Sequence, residues 1–184
     1  MNGHGRPHVA LIGLMGAGKT TIGRRLAREL GLPFTDTDEL VVAAAERPIV
    51  DIFAEEGEPG FRAREYVAAC DAFARPAGVV SLGGGAVSHA PTRDLIARSA
   101  VRVYIAMSPH AIVARLRRAQ SVRPLLGAAP TVDRIEELLA RRASFYREAE
   151  LTVQGDRGST GAIARAIVAG LAAYRSAQPD GVAR

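Results

Sequence analysis

The hydrophobic residues of this chain fall into five short runs separated by longer amphipathic segments. Three of the runs are almost continuously apolar, which is typical of strands that helices cover on both faces. The alternation of short runs with longer helical segments predicts an α/β fold built on a parallel sheet. The predicted strands are 8–13 (HVALIG), 33–36 (PFTD), 79–83 (VVSLG), 101–107 (VRVYIAM) and 151–154 (LTVQ).

The intervening segments have the apolar spacing of amphipathic helices. In the first of them Ile22, Leu26 and Leu30 share one face, and Gly31 supplies a C-terminal stop. The helices predicted in this way are 19–30, 38–46, 51–56, 59–75, 91–99, 109–118, 131–148 and 159–176.

Length and composition narrow the class of protein. The 184 residues have the size of one domain, which we place at 8–176 with flexible tails at 1–7 and 177–184. No apolar run approaches the roughly 20 residues that span a bilayer, and we expect no secretory leader. Cys70, the only cysteine, has no partner for an internal disulfide. We therefore expect a cytoplasmic protein.

The net charge of +5 and the pI near 10.1 suggest a nucleic-acid-binding protein. The arginines, however, are spread along the whole chain, often beside glutamates, and no basic cluster contains interleaved aromatic residues. We therefore expect neither a nucleic acid nor a membrane as partner. Two explanations of the charge stay open, namely a solvated basic surface and an excess of arginine for binding small anions.

The segment GLMGAGKT at 13–20 fits the pattern G-x-x-x-x-G-K-[ST] of a phosphate-binding loop, or P-loop. It follows a predicted strand and opens a predicted helix, so that backbone N–H groups and the helix N-terminus would face the phosphates. The alternative is a glycine-rich turn that binds nothing. The predicted phosphate-binding residues are Gly16, Ala17, Gly18, Lys19, Thr20 and Thr21.

Lys19 is the only lysine among the 24 lysine and arginine residues. An ammonium on a slim stem fits a cradle of N–H donors, whereas a planar guanidinium needs more width. The use of lysine at this one position indicates steric selection, and we predict that Lys19 reaches the β- and γ-phosphates. The hydroxyl of Thr20 is placed to ligate Mg²⁺ between the phosphates.

The segment FTDTDEL places Asp36 and Asp38 at the carboxyl end of the second predicted strand. Alternation along an extended chain predicts that both carboxylates point to one side, at the edge where open α/β sheets bind ligands. One carboxylate is expected to hold a water of the metal shell, and the other to take a proton from an alcohol. Alternatively, Asp38 only caps a helix that begins at Glu39.

Two arginines fall on the apolar faces of predicted helices. Arg142 continues the apolar stripe of its helix, whereas Arg141 points outward, and Arg62 extends the stripe of another helix. A buried guanidinium needs a partner, and a substrate carboxylate held bidentately would supply one. The alternatives are an arginine that reaches water from the end of the stripe, and an internal ion pair such as Arg62 with Glu65.

Two loops complete the set of candidates. SLGGGAV at 81–87 carries three glycines behind a predicted strand, which indicates either a flexible turn or a backbone that approaches a ligand closely. The segment 119–130 has the composition of a lid. Its Arg123 is expected to close over the phosphates and stabilise charge in the transition state, the alternative being an exposed loop arginine.

Six segments resemble the shikimate kinase family in their order and spacing, over about residues 8–175: GLMGAGKTTIGRRLA, DTD, FRAREY, SLGGGA, VRPLL and RRASFYRE. The resemblance implies a three-layer P-loop kinase fold with five parallel strands in the order 2-3-1-4-5, a substrate-binding subdomain and a mobile lid. It also implies Mg²⁺-dependent transfer of the γ-phosphoryl group of ATP to the 3-hydroxyl of shikimate, within aromatic amino-acid biosynthesis.

The resemblance also implies roles for the acidic and basic candidates. Asp38 would hold the ring hydroxyls of shikimate and act as the base. Asp36 would lie near the Mg²⁺ shell. Arg62 and Arg142 would bind the shikimate carboxylate.

Other roles implied by the resemblance concern the glycines and the nucleotide. Gly84 and Gly85 would pack against the shikimate ring and its hydroxyls, and Arg123 would be the lid arginine. Family members often carry an arginine after the last strand that packs against adenine. Arg157 is the candidate here, and Gly158 is the alternative position. Small members of this type are usually monomers, so we expect a monomer.

Two other functions stay open from the sequence. A kinase for another small hydroxy acid, such as gluconate, would also use Arg62 and Arg142, although the DTD and GGG segments fit it less well. A nucleotide-gated regulator would use a kinase-like domain without catalysis. Such a protein should carry a further binding appendage and lack the catalytic Asp38.

Overall fold

The structure is a computed structural model that describes residues 8–119 and 130–177. Its five strands form one sheet in which each neighbouring pair is parallel. The strand order is β2-β3-β1-β4-β5, which confirms the order that the family resemblance implies. The strands are β1 (His8–Ile12), β2 (Phe34–Asp36), β3 (Val79–Ser81), β4 (Ala100–Ala106) and β5 (Leu151–Gln154).

Seven helices connect and cover the strands in the described part of the chain, and a short 3-10 helix lies at Ala86–Ser88. The two helices predicted at 51–56 and 59–75 form one element with a break at Gly57, where φ is 67° and ψ is −175°. The helices are α1 (Lys19–Leu30), α2 (Thr37–Ala45), α3 (Ile49–Ala74), α4 (Ala90–Ser99), α5 (Pro109–Ala119), α6 (Val132–Arg147) and α7 (Thr160–Ser176).

The sheet is the middle layer between two apolar cores. Along β1, Val9 and Leu11 join the core that contains α1, α5, α6 and α7, whereas Ala10 and Ile12 join the core that contains α3 and α4. Successive residues of a strand point to opposite faces, so both sets must be apolar. This explains why the strands are almost continuously hydrophobic. A third, small core joins α2 to α3.

The helix ends follow from identifiable capping residues. Gly31 takes a left-handed conformation with φ of 64° and ends α1, as its position in the sequence predicts. Side-chain oxygens of Thr131 and Ser159 accept backbone N–H groups in the first turns of α6 and α7. These caps fix where the helices start relative to the ends of the strands.

Several sequence predictions concern residues outside the described ranges. The predicted lid at 119–130, with Arg123, lies almost entirely there, as do the tail at 1–7 and most of the tail at 177–184. Among the described helices, none combines the length and the apolar character that a membrane crossing requires.

A buried histidine starts the central strand. His8 is 3% exposed, its Nδ1 accepts the N–H of Gly78 at 3.2 Å, and its ring meets Phe73 edge-on. Because Nδ1 accepts a hydrogen bond, the neutral ring carries its proton on Nε2. Burial lowers the pKa of His8 from 6.5, because the charged form is less well solvated in the core.

We therefore predict that His8 makes the free energy of unfolding fall at acidic pH. Its contribution is fully present above about pH 6.5, and it is lost as the pH falls toward the lowered pKa, because the unfolded chain then binds the proton more tightly. His8→Asn keeps a neutral acceptor for Gly78. As the pH is lowered from 7.5 to 5, urea unfolding should show that the free energy of unfolding falls more for the wild type than for His8→Asn. Parallel pH profiles would contradict this prediction.

Candidate active site

The loop that leaves β1 wraps back on itself before α1 begins. Gly16 and Gly18 have φ values of 79° and 88°, a left-handed region that glycine enters without strain. Gly18 also occupies the N-cap position of α1, where no side chain among the described residues caps the helix. The first N–H groups of α1 therefore stay available to an anion, as the P-loop pattern predicts.

Lys19 lies beneath this loop and is almost fully buried. Its Nζ donates to the carbonyl oxygens of Gly13 at 2.9 Å and Leu14 at 3.1 Å. The ammonium thus lies against the loop's own backbone while its side chain also lines the cavity in front of the loop. A compact cation meets these two carbonyls without needing the width of a guanidinium.

Asp36 connects the end of β2 to both neighbouring helices. Its Oδ2 accepts the hydroxyl of Thr20 at 2.7 Å, and its Oδ1 accepts the N–H of Asp38 at 3.0 Å. Asp36 is therefore the N-cap of α2, and the proposal that Asp38 caps the helix is wrong. Asp38 belongs to the first turn of α2, because the chain leaves the extended conformation at Thr37. Alternation along a strand is thus the wrong reason for placing the two carboxylates together, although both line the same cavity.

Arg62 is buried on α3 and already has internal partners. Its Nη1 donates to Glu65 Oε2 at 2.7 Å, and its Nη2 donates to Glu58 Oε1 at 2.9 Å. The internal ion pair that the sequence left open as an alternative is therefore present. Glu65 is fully buried, and burial raises the pKa of its carboxyl group, while the nearby charge of Arg62 acts in the opposite direction.

The glycine loop after β3 brings the second buried arginine to the same place. Arg142 is 5% exposed and its Nη1 donates to the Gly84 carbonyl at 2.9 Å, whereas Arg141 is exposed, as the helical spacing predicts. A β-carbon on Gly85 would lie 2.7 Å from Nη1 of Arg62. Gly84 and Gly85 thus lie between Arg62 and Arg142, each touching one of them.

The phosphate loop, the carboxylates and Arg62 line one cavity of about 290 Å³. Phe53 and Phe61 add an apolar wall to it. The predicted site residues among its walls are Gly16, Gly18, Lys19, Thr20, Thr21, Asp36, Asp38, Arg62, Gly84 and Gly85. Arg142 is not among the lining residues but contacts one of them, Gly84. Arg157 is exposed on the loop after β5 and is not among the lining residues either, and Arg123 lies outside the described residues.

Sequence reasoning missed Arg115, which lines the cavity at its phosphate-loop end. The guanidinium donates to Ala17 O at 3.1 Å and to Gly155 O at 2.9 Å, so it joins the phosphate loop to the end of β5. Arg115 stands beside Arg117 and Arg118 on α5, and nothing in the local pattern separates it from them. Its contact with Ala17 spans 98 residues of sequence, so only the fold reveals it.

Comparison with known proteins indicates the family to which this chain belongs. A sequence model of the family described as shikimate kinase matches residues 15–172. A shikimate kinase of Mycobacterium avium is 42% identical over 168 residues, which cover 91% of this chain and 94% of that protein.

Solved structures give the same result. A shikimate kinase from Acinetobacter baumannii in complex with shikimate matches with a TM-score of 0.86 and 35% identity, over 94% of this chain and 96% of that one. A gluconokinase from Sinorhizobium meliloti matches with a TM-score of 0.62 over 95% of this chain and 100% of that one, but at 17% identity, so it shares the fold alone. The chain belongs to the shikimate kinase family.

Proposed function

We propose that this protein transfers the γ-phosphoryl group of ATP to the 3-hydroxyl of shikimate. The observation that carries the proposal is one cavity in which a phosphate-binding loop, two carboxylates and a buried arginine meet. Phosphoryl transfer requires mainly that two anions are positioned and their charge neutralised, and this cavity offers groups for both. The structural neighbour with shikimate bound supports the choice of acceptor.

The nucleotide phosphates would bind the loop after β1. The uncapped N-terminus of α1 supplies N–H donors, and Lys19 supplies a positive charge at the same place. Arg115 lies at this end of the cavity and donates to the loop backbone at Ala17 O. Arg123 as the lid arginine and Arg157 at the adenine stay predictions from the family resemblance.

Mg²⁺ fits the oxygen donors between α1 and β2. The hydroxyl of Thr20 and the carboxylate of Asp36 lie 2.7 Å apart, and hard oxygen donors are the ligands that Mg²⁺ prefers. Among the described residues, no group of three or more His, Cys, Asp or Glu is placed to hold a metal ion, so water and phosphate oxygens would complete the shell. Thr20 would ligate the ion directly and Asp36 through a water. The bound ion would neutralise charge on the phosphate oxygens.

The acceptor would occupy the other end of the cavity. Asp38 would accept the proton of the attacking hydroxyl. Arg62 and Arg142 would bind the carboxylate, and the ion pairs of Arg62 with Glu58 and Glu65 leave part of its donor set for a ligand. The backbone of the glycine loop would pack against the ring, because its lack of side chains allows close approach.

The acceptor can be tested directly. We predict that ADP release from Mg-ATP, followed by a coupled assay, depends on shikimate and is faster with shikimate than with gluconate by about tenfold or more. Faster turnover with gluconate would instead identify a kinase for another hydroxy acid. ADP release that is absent, or independent of any acceptor, would favour a nucleotide-gated regulator.

A second prediction concerns the single lysine. Lys19→Arg should keep the fold, because the change preserves charge, but reduce kcat by about a hundredfold or more. The physical reason is that the ammonium fits between the carbonyls of Gly13 and Leu14, where a planar guanidinium would displace the loop or the phosphate. Steady-state kinetics and thermal unfolding check this prediction. Near-native turnover of the variant would show that the steric account is wrong.

A third prediction concerns the glycine loop. A β-carbon on Gly84 would lie 2.7 Å from the backbone nitrogen of Met15, so Gly84→Ala must push the glycine loop and the phosphate loop apart. We expect kcat/KM to fall by about a hundredfold, because displacements of this size misplace the reacting groups. The matched control is Gly161→Ala, since a β-carbon there meets its nearest atom at 3.5 Å. Equal activity of the two variants would contradict the prediction.

A further inference from the structure

The hydroxyl of Thr37 connects two elements of the site without lining the cavity itself. Thr37 is the first residue of α2 and its side chain has no exposure to solvent. Its Oγ1 donates to the carbonyl of Ser81 at 3.3 Å and accepts the N–H of Gly83 at 3.1 Å. One side chain therefore holds both the last residue of β3 and the first glycine of the loop that follows.

This contact continues the pairing of two strands beyond their ends. The ladder between β2 and β3 stops at the pair Asp36 and Ser81. After that pair the chain turns into α2 on one side and into the glycine loop on the other. The bonds of Thr37 take over the connection where the backbone ladder ends, so the start of α2 and the glycine loop keep a fixed relation.

The residues on either side of this contact are the ones that the reaction needs. Asp38 follows Thr37 directly and its N–H is held by the carboxylate of Asp36. A β-carbon on Gly83 would lie 2.7 Å from Asp38 Oδ1 and would also collide with Oε1 of Glu65. Gly83 therefore packs closely against Asp38, and a small shift of either backbone changes the place of the carboxylate.

We propose that Thr37 is a positioning residue, whose buried hydroxyl holds Asp38 and the glycine loop in the geometry required for phosphoryl transfer. The inference rests on the proposed function. Thr37 is not among the described residues that line the cavity, so it acts through Asp38 and Gly83 and not by touching the substrate. Loss of the hydroxyl would leave the N–H of Gly83 buried without this acceptor. Because an unpaired buried donor is costly, we expect the backbone to shift toward another partner.

The experiment compares two replacements of Thr37 that differ in the hydroxyl. Thr37→Val keeps the branched shape and removes the hydroxyl, whereas Thr37→Ser keeps the hydroxyl and removes a methyl group. We expect Thr37→Val to lower kcat/KM for shikimate by about ten- to a hundredfold, because the base is misplaced. The KM for ATP should change less than the KM for shikimate, since neither hydrogen bond of Thr37 is made to the phosphate loop between β1 and α1. Thr37→Ser should keep most of the activity.

Thr35→Val is the matched control, because it makes the same chemical change two residues earlier, on the partly exposed strand β2. It should leave both kinetic parameters unchanged. A kcat/KM of Thr37→Val equal to that of the wild type would overturn the inference. An equal loss of kcat/KM for shikimate and for ATP would also overturn it, because it would indicate a merely structural role. Should Thr37→Val not fold, Thr37→Ala tests the same point, because it differs from Thr37→Ser only by the hydroxyl, and activity equal to that of Thr37→Ser would then overturn the inference.

The outcome for the wild type separates the two proposals. Absence of shikimate-dependent turnover in the wild-type protein contradicts the proposed function, and the role of Thr37 with it. Wild-type turnover together with an unaffected Thr37→Val contradicts the role of Thr37 alone.

Discussion

The backbone of residues 83–85 has no room for side chains, and the geometry of the site depends on this constraint. Gly84 packs against the backbone of Met15 in the phosphate loop, and Gly85 packs against the guanidinium of Arg62. The same loop offers its carbonyl at Gly84 to Arg142. A three-residue backbone thus touches the phosphate-loop end and the Arg62 end of one cavity. Because packed interiors do not deform continuously, this contact fixes the distance between the two ends.

The geometry of the site also depends on an electrostatic interaction. Arg62 and Glu65 form a buried ion pair, and such a pair is costly to break, because the remaining charge has no partner. The sequence presented an internal acid and a substrate carboxylate as competing partners of Arg62, but they are compatible. Glu58 accepts from Nε and Nη2 of Arg62, and Glu65 accepts from Nη1, so each nitrogen is engaged and the plane of the guanidinium is fixed. The N–H donors that remain on Nη1 and Nη2 therefore have a defined direction.

Much of this fold could be predicted because β1 and β3 are buried along their whole length and β4 along most of it, so these strands read as apolar runs. The inward orientation of Arg142 could also be predicted from the sequence, since this residue interrupts an apolar stripe that otherwise faces the core. The local conformation at the site is harder to predict from the sequence. Asp36, three residues before Glu39, fits a helix-capping signal, but the alternation of Asp36 and Asp38 equally suggests an extended chain, and the structure follows the capping signal. Arg115 could not be found, because its carbonyl partners come from distant segments.

The contrast between one lysine and many arginines follows from the partners that each cation meets. Arg115 and Arg142 donate to backbone carbonyls from the side, and Arg62 donates to two carboxylates, arrangements in which a planar fork gains from its fixed directions. Lys19 instead meets two carbonyls within a single turn of the phosphate loop, and it approaches them from a buried position. A guanidinium there would need space that the loop backbone occupies. We therefore expect that the shape of the loop, and not the need for positive charge, selects lysine at this position.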